Sequence, residues 1–300
     1  MKKLLTLMLT LAMLLSLAAC GAKDTTPDNS GDTQTDTPDT TDTTPSNALE
    51  QILADGVLTV ALSPDFSPME FVDSSKSGQD QFVGFDVTLA KYIASELGVD
   101  LVIEPMGFDA CQTAVYTGSV PMSISGYSWT EERAANYELS DVYYAGENET
   151  EQVLLLREED AAKYTKAEDF AGADVGAQNA SLQMNLVTSQ LPDANPIPIG
   201  DITVGVMELK SGNVEALAVA IGNGKMIMDA NPGLVMCDWQ FEVDEQAENN
   251  LILITKGETE LLEAVNEILA KAYDAGLYGG WYEDAVKLGE SESAAELTIE

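Results

Sequence analysis

Strand-like apolar runs alternate with helix-period segments twice over in this chain, and that repetition confines the fold to open, mainly parallel α/β sheets. Val57-Leu58-Thr59-Val60-Ala61-Leu62 reads as a buried strand. Asp86 then offers an N-cap to a helix whose Leu89, Ala90, Ile93, Ala94 and Leu97 share one face, with Gly98 as the stop. Val99 to Glu104 is the next strand, about Asp109 to Tyr116 the next helix, and Met122, Ser123 and Ile124 lie in a third strand. The pattern restarts with strands at Glu151 to Leu156 and Ala173 to Gln178 and a helix at Ser181 to Leu191. Further strands fall at Val214 to Ala220, Leu234 to Trp239 and Asn250 to Ile254, before a long amphipathic helix from Glu258 to Ala275.

Three hundred residues suit about two domains of ~100–150 residues each. The expected division is one lobe of residues 48–150 plus 246–290, a second lobe of residues 151–245, and a polar tail over 291–300. A cleft between two such lobes is where a small ligand is expected.

The N-terminus sets the compartment. Lys2 and Lys3 precede an apolar run from Leu4 to Ala19, too short for a comfortable membrane span and ordered as in a secretory signal. Leu17-Ala18-Ala19-Cys20-Gly21 resembles a bacterial lipobox, which implies removal of residues 1–19 and lipid attachment to Cys20. Residues 20–47 hold no large apolar side chain after the cysteine and read as an acidic, solvated tether. Beyond Cys20 only Cys111 and Cys237 remain, and buried free thiols are expected in preference to a disulfide scaffold.

Charge and residue usage exclude several functions. Fourteen basic against 51 acidic residues give a net charge of −37, which repels nucleic-acid backbones. The chain contains no histidine, so Ser-His-Asp and Cys-His catalysis and histidine-ligated metals are excluded. No cofactor is expected.

Only two of the fourteen basic residues are arginines. Arg157 stands beside Glu158, Glu159 and Asp160, and a solvated ion pair accounts for it. Arg133 lies in Ser125-Gly126-Tyr127-Ser128-Trp129-Thr130-Glu131-Glu132-Arg133, just past a strand end. Thr130 is a plausible N-cap, with Glu131 and Glu132 suited to the positive end of the helix. An arginine in that same turn opposes the helix dipole unless an anion neutralises it, and its planar fork fits a carboxylate. The hydroxyls of Ser125 and Ser128 and the Gly126 N–H offer further donors. A local ion pair with Glu132 explains the same residue, and spacing alone does not separate the two readings.

The stretch from residue 56 to 288 resembles the extracytoplasmic solute-binding proteins of ABC importers, in the polar amino-acid-binding family. The resemblance runs in order through Ser63-Pro64-Asp65-Phe66-Ser67-Pro68-Met69-Glu70-Phe71, Val83-Gly84-Phe85-Asp86-Val87-Thr88-Leu89-Ala90, the Ser125 to Arg133 segment and Leu139-Ser140-Asp141-Val142-Tyr143-Tyr144. Val175-Gly176-Ala177-Gln178, Thr255-Lys256-Gly257 and the helix with Leu262, Val265 and Asn266 complete it. It implies a two-lobed type II periplasmic-binding fold and a monomer that binds an amino acid or related carboxylate. Delivery would be to a membrane permease and its ATPase. Within that likeness Arg133 clamps the ligand carboxylate, assisted by Ser125, Gly126 and Ser128. Phe66 forms an aromatic platform, Met69 a softer wall, and Ser181 a hydroxyl donor from the second lobe. Of Tyr127 and Trp129, one is expected in the core and the other at the pocket edge.

Three positions depart from the family pattern. Ala220 stands where an aspartate usually takes the ligand ammonium, so either another acid serves, with residues 146–151 as one source, or the ligand lacks a standard α-amino group. A shifted local alignment explains the same residue. Pro121 replaces an aspartate at a strand start, and Ala180 replaces the glycine before Ser181. Two rival functions share the fold: a cyclohexadienyl-dehydratase-like enzyme using Glu149 or Glu70 as its acid, and a sensory module that presents ligand to a separate partner.

Overall fold

The computed structural model describes residues 45–144 and 151–297. The signal-like segment, Cys20 with nearly all of the tether, and Glu149 lie outside the described residues.

Helix α1 (Ala48–Asp55) leads into β1 (Val57–Leu62), then into a small antiparallel sheet of β2 (Asp65–Phe66), β3 (Glu70–Val72) and β4 (Phe82–Val83). There follow α2 (Phe85–Leu97), β5 (Asp100–Pro105), α3 (Phe108–Tyr116), β6 (Met122–Ser128), α4 (Glu131–Asn136) and β7 (Glu138–Leu139). The next stretch holds β8 (Gln152–Arg157), β9 (Asp174–Gln178), α5 (Leu182–Gln190) and β10 (Asn195–Ile199). It continues with α6 (Ile202–Ser211), β11 (Ala216–Ala220), α7 (Ile221–Ala230) and β12 (Leu234–Gln240). The chain ends with β13 (Asn250–Ile254), α8 (Thr259–Asp274) and α9 (Leu277–Leu297), the last helix running on into the segment read as a polar tail.

Among these residues two five-stranded sheets form, in the orders β5-β1-β6-β13-β7 and β10-β9-β11-β8-β12. Three strands of each are parallel, β1 between β5 and β6 and β9 between β10 and β11. A strand from beyond an inter-sheet crossing then adds antiparallel, β13 to β6 and β8 to β11. These are the two lobes of a periplasmic-binding fold.

Strand periodicity explains the cores. In β13, Ile252 and Ile254 face one layer while Leu251 and Leu253 face the other. In β11, Ala216 and Ala218 pack on one side of the sheet, Leu217 and Val219 on the opposite side. Central strands covered on both faces must be apolar throughout, which is why these runs lack polar alternation. Burying a single such Leu or Ile contributes about 1.5–3 kcal/mol.

Some local expectations change. Helix α2 is capped by Gly84 at φ 118°, not by Asp86, which lies in the first turn and is wholly buried. A Cβ at Gly84 would come within 2.3 Å of the Met69 carbonyl oxygen, so only glycine lets the chain pass there. Arg157 is not simply solvated. Its guanidinium holds Asp160 and donates to the carbonyls of Leu209 at 2.6 Å and Val214 at 2.8 Å, joining β8 to the end of α6. Cys111 and Cys237 are both free and buried.

Candidate functional site

A cavity lies between the lobes at the carboxyl ends of the parallel strands, where side chains from both sheets converge. The first lobe lines it with Phe66, Glu70, Phe108, Ser125, Gly126, Ser128 and Arg133. The facing wall includes Gln178, Leu182, Gln183 and Ile202 and the end of β11. The free volume left inside is about 20 Å³, room for roughly one water. Access for an amino acid therefore requires the lobes to part.

Arg133 is placed by its own helix start. Thr130 Oγ1 accepts the Arg133 N–H at 3.1 Å, the N-cap read from the sequence. Arg133 is 4% exposed, and its guanidinium carbon packs 5.6 Å from the Phe108 ring centre and 5.1 Å from that of Tyr127. It donates to Ser128 O at 2.7 Å, to Gln112 Oε1 at 3.3 Å and, from the other lobe, to Ala180 O at 3.0 Å. Aromatic walls and carbonyl acceptors hold the planar fork rigidly on the cavity wall, so little ordering is left for an incoming carboxylate to impose.

The neighbouring donors behave differently from expectation. A hydroxyl has one proton to give, and Ser125 gives its proton to Glu70 Oε1 while accepting the Ser63 N–H at 3.1 Å. The Gly126 N–H goes to Asp86 Oδ2 at 2.8 Å. Both residues line the cavity, but these protons organise buried acids instead of facing a ligand anion.

Phe66 lines the cavity as expected. Met69 does not. It is wholly buried among the α2-facing core, because the Asp86 N–H bonds to its carbonyl at 2.8 Å and locks its backbone against the helix start. The next residue, Glu70, projects to the cavity instead, as strand alternation requires. Ser181 is buried, caps α5 by accepting the Met184 N–H at 3.1 Å, and is not among the lining residues. Its neighbour Ala180 takes φ 58°, the left-handed conformation that glycine adopts without strain, and this turns its carbonyl to Arg133. Tyr127 is the core aromatic; Trp129 is 36% exposed and does not line the cavity.

Glu70, read from the sequence only as an acid for the rival enzyme, lies on the cavity wall, whereas Phe108, Leu182, Gln183 and Ile202 gave no signal in the sequence. Glu70 is fully buried, and burial together with the nearby Asp86 pushes its carboxyl well above the usual range. Asp86 is raised to about 7, mainly by burial, against the opposing effect of bonds from Gly126, Tyr143 and Glu70. Asp65 is raised to about 6 by burial. Among the described residues, Glu70 is the one carboxyl that lines the cavity, and Ala220 forms part of the facing wall.

A family profile for bacterial extracellular solute-binding proteins, family 3, matches residues 58–285. The chain belongs to that family. Members are amino-acid-binding components of ABC transporters that work outside the cytoplasm. A probable histidine-binding protein of Campylobacter jejuni is 26% identical over 83% of this chain and 91% of its own length. The AbpA substrate-binding protein of Streptococcus pneumoniae, solved with L-arginine, superposes with TM-score 0.73 at 34% identity, over 80% of this chain and 98% of that one. A reconstructed amino-acid-binding ancestor described as a precursor of cyclohexadienyl dehydratase superposes with TM-score 0.68 at 26% identity, over 80% of this chain and all of its own.

Proposed function

We propose that this chain is a lipid-anchored receptor that closes on a small amino acid or related carboxylate and delivers it to an ABC permease. The observation that carries this reading is Arg133, held on the cavity wall between Phe108 and Tyr127 with the lobes converging around it. In a site with little water, a guanidinium–carboxylate pair is far stronger than in solvent, and contacts from both lobes favour the closed state. Arginine-binding among solved relatives and histidine-binding among curated ones support a nitrogen-rich amino acid as the first ligand to test. The boundaries of the two lobes, at about residues 150 and 245, fit a hinge that carries this closure.

Titration calorimetry with L-arginine, L-histidine, L-glutamine and simple carboxylates tests the reading. At least one gives a saturable heat, and Arg133→Ala loses it, since removing one partner of a buried charge pair costs about 2–5 kcal/mol. Unchanged affinity in that variant overturns the carboxylate clamp. The anchor is tested separately: Cys20→Ser moves the protein from the membrane fraction into the medium or periplasm, and retention at the membrane rejects lipidation.

A dehydratase reading draws on one feature, Glu70, whose carboxyl burial pushes well above the usual range, on the same cavity wall as Arg133. Incubation with arogenate or prephenate yields no aromatic product from a receptor. Turnover that disappears in Glu70→Gln would replace the receptor reading.

A further inference from the structure

Two acids are wholly buried at the cavity: Glu70 of β3 in its lining, and Asp86 of α2 behind it. Ser125 donates to Glu70 Oε1, while Gly126 N–H and the Tyr143 hydroxyl donate to Asp86 Oδ2 at 2.8 and 3.0 Å. The other two oxygens, Glu70 Oε2 and Asp86 Oδ1, receive no N–H or O–H among the described residues. The fold sets the two side by side: the Asp86 N–H bonds to the carbonyl of Met69, the residue before Glu70, and their donors Ser125 and Gly126 are neighbours in β6. Were both ionised, two negative charges would lie buried with one undonated oxygen each, a cost that a single proton held between them removes. We propose that Glu70 and Asp86 hold one proton between them, and that the cationic group of a bound amino acid expels it to solvent.

The charges around the pair give the reason. Glu70 faces Asp86 and, at longer range, Asp65 from β2. Tyr127 of β6 feels both Glu70 and Arg133 of α4, and Tyr143 reaches Asp86. With every acid ionised, two buried carboxylates and the partly buried Asp65 would face one guanidinium, which burial makes costly. A shared proton removes one negative charge. A ligand ammonium or guanidinium in the cavity supplies that positive charge itself, next to the single carboxyl of the lining, and the proton becomes redundant. The opposite wall offers the methyl of Ala220 and no competing acid. This rests on the receptor reading and narrows its ligand to one bearing a cation.

The test uses the mature protein at pH 8 with L-arginine as probe and valerate, a carboxylate without a cation, as control. Calorimetry in phosphate and in Tris, buffers of different ionisation heat, counts the protons released. The expected result is about one proton released with arginine and none with valerate. Glu70→Gln weakens arginine at least tenfold and releases none. Arginine binding with no proton release overturns the proposal, as does valerate binding when arginine does not; in the latter case the receptor reading survives. Infrared spectra of the ligand-free protein read the pair directly. A protonated carboxyl C=O band persists at pH 8 and vanishes in the Glu70→Gln, Asp86→Asn double variant. Its absence from the parent protein rejects the shared proton even if arginine binds, and its presence without any amino-acid binding rejects the ligand half alone.

Discussion

Asp65, at the start of β2 in the first lobe, accepts the backbone N–H of Ile202, the first residue of α6 in the second, at 2.7 Å. The same oxygen accepts from Gln178 Nε2 at 2.9 Å, and the other oxygen from Ser63 at 2.8 Å. One carboxylate thus fastens two lobes together, aided by the positive end of the helix it meets. Asp65→Ala is expected to lower ligand affinity by about 10- to 100-fold, the equivalent of the ~1.5–3 kcal/mol carried by hydrogen bonds to a charged group. Small-angle scattering should show a larger radius of gyration for the ligand-free variant; identical scattering and affinity would mean that Asp65 does not hold the lobes.

Stability should rise on acidification from pH 8. Asp65 at about 6 and Asp86 at about 7 both lie above the value of a solvated aspartate, so the folded chain binds protons more tightly than the unfolded one. Their cost is greatest above pH 7 and is relieved as pH falls through these values, by up to about 3 kcal/mol for Asp65. Asp160 and Asp169 are lowered by their partners and act in the opposite sense, losing stability when protonated in stronger acid. Thermal melts should therefore peak at about pH 4.5–6, with Asp65→Asn flattening the alkaline side. A melting temperature that climbs from pH 5 to pH 8 contradicts this.

Gly84→Ala should destabilise the fold by more than about 2 kcal/mol, since it combines an unfavourable φ with a clash against backbone that cannot rotate away. Denaturant midpoints measure it. Because Gly84 sets the start of α2, and with it the position of Asp86, the variant should also perturb the infrared signature of the acid pair.

Ala180→Gly works in the other direction. Releasing a left-handed alanine gains about 1–2 kcal/mol and the added chain freedom of glycine returns about half of it, leaving a net gain of ~0.5–1 kcal/mol. A melting temperature at or below that of the parent would show that the Ala180 carbonyl, held by Arg133, depends on the alanine.

Much of this architecture was legible in the chain itself. Apolar runs such as Val57–Leu62 and Asn250–Ile254 have the length and β-branching of buried strands and became the central strands β1 and β13. Thr130 announced α4 because N-capping is a local interaction, written within four residues. β10 was missed because Pro196 and Pro198 argue against a strand; it is tolerated as an edge strand, where a missing N–H breaks no ladder. α6 was hidden partly by Gly205, whose bare Cα allows close contact with Leu217 and Ile199, a need visible only after folding. Likewise, whether Met69 or Glu70 faces the cavity is a matter of one residue in strand phase. Composition carries no signal for it, and the start of α2, far from obvious in sequence, decides it.

The passages between the sheets also constrain motion. Tyr144 and Asn250 pair as an isolated antiparallel bridge, and Phe241 bonds to Gln152 at 3.2 Å, so the outgoing and returning strands run side by side. Backbone bonds between these segments resist the sliding of one past the other. Two sheets tied in this way keep the same two faces opposite each other in one register.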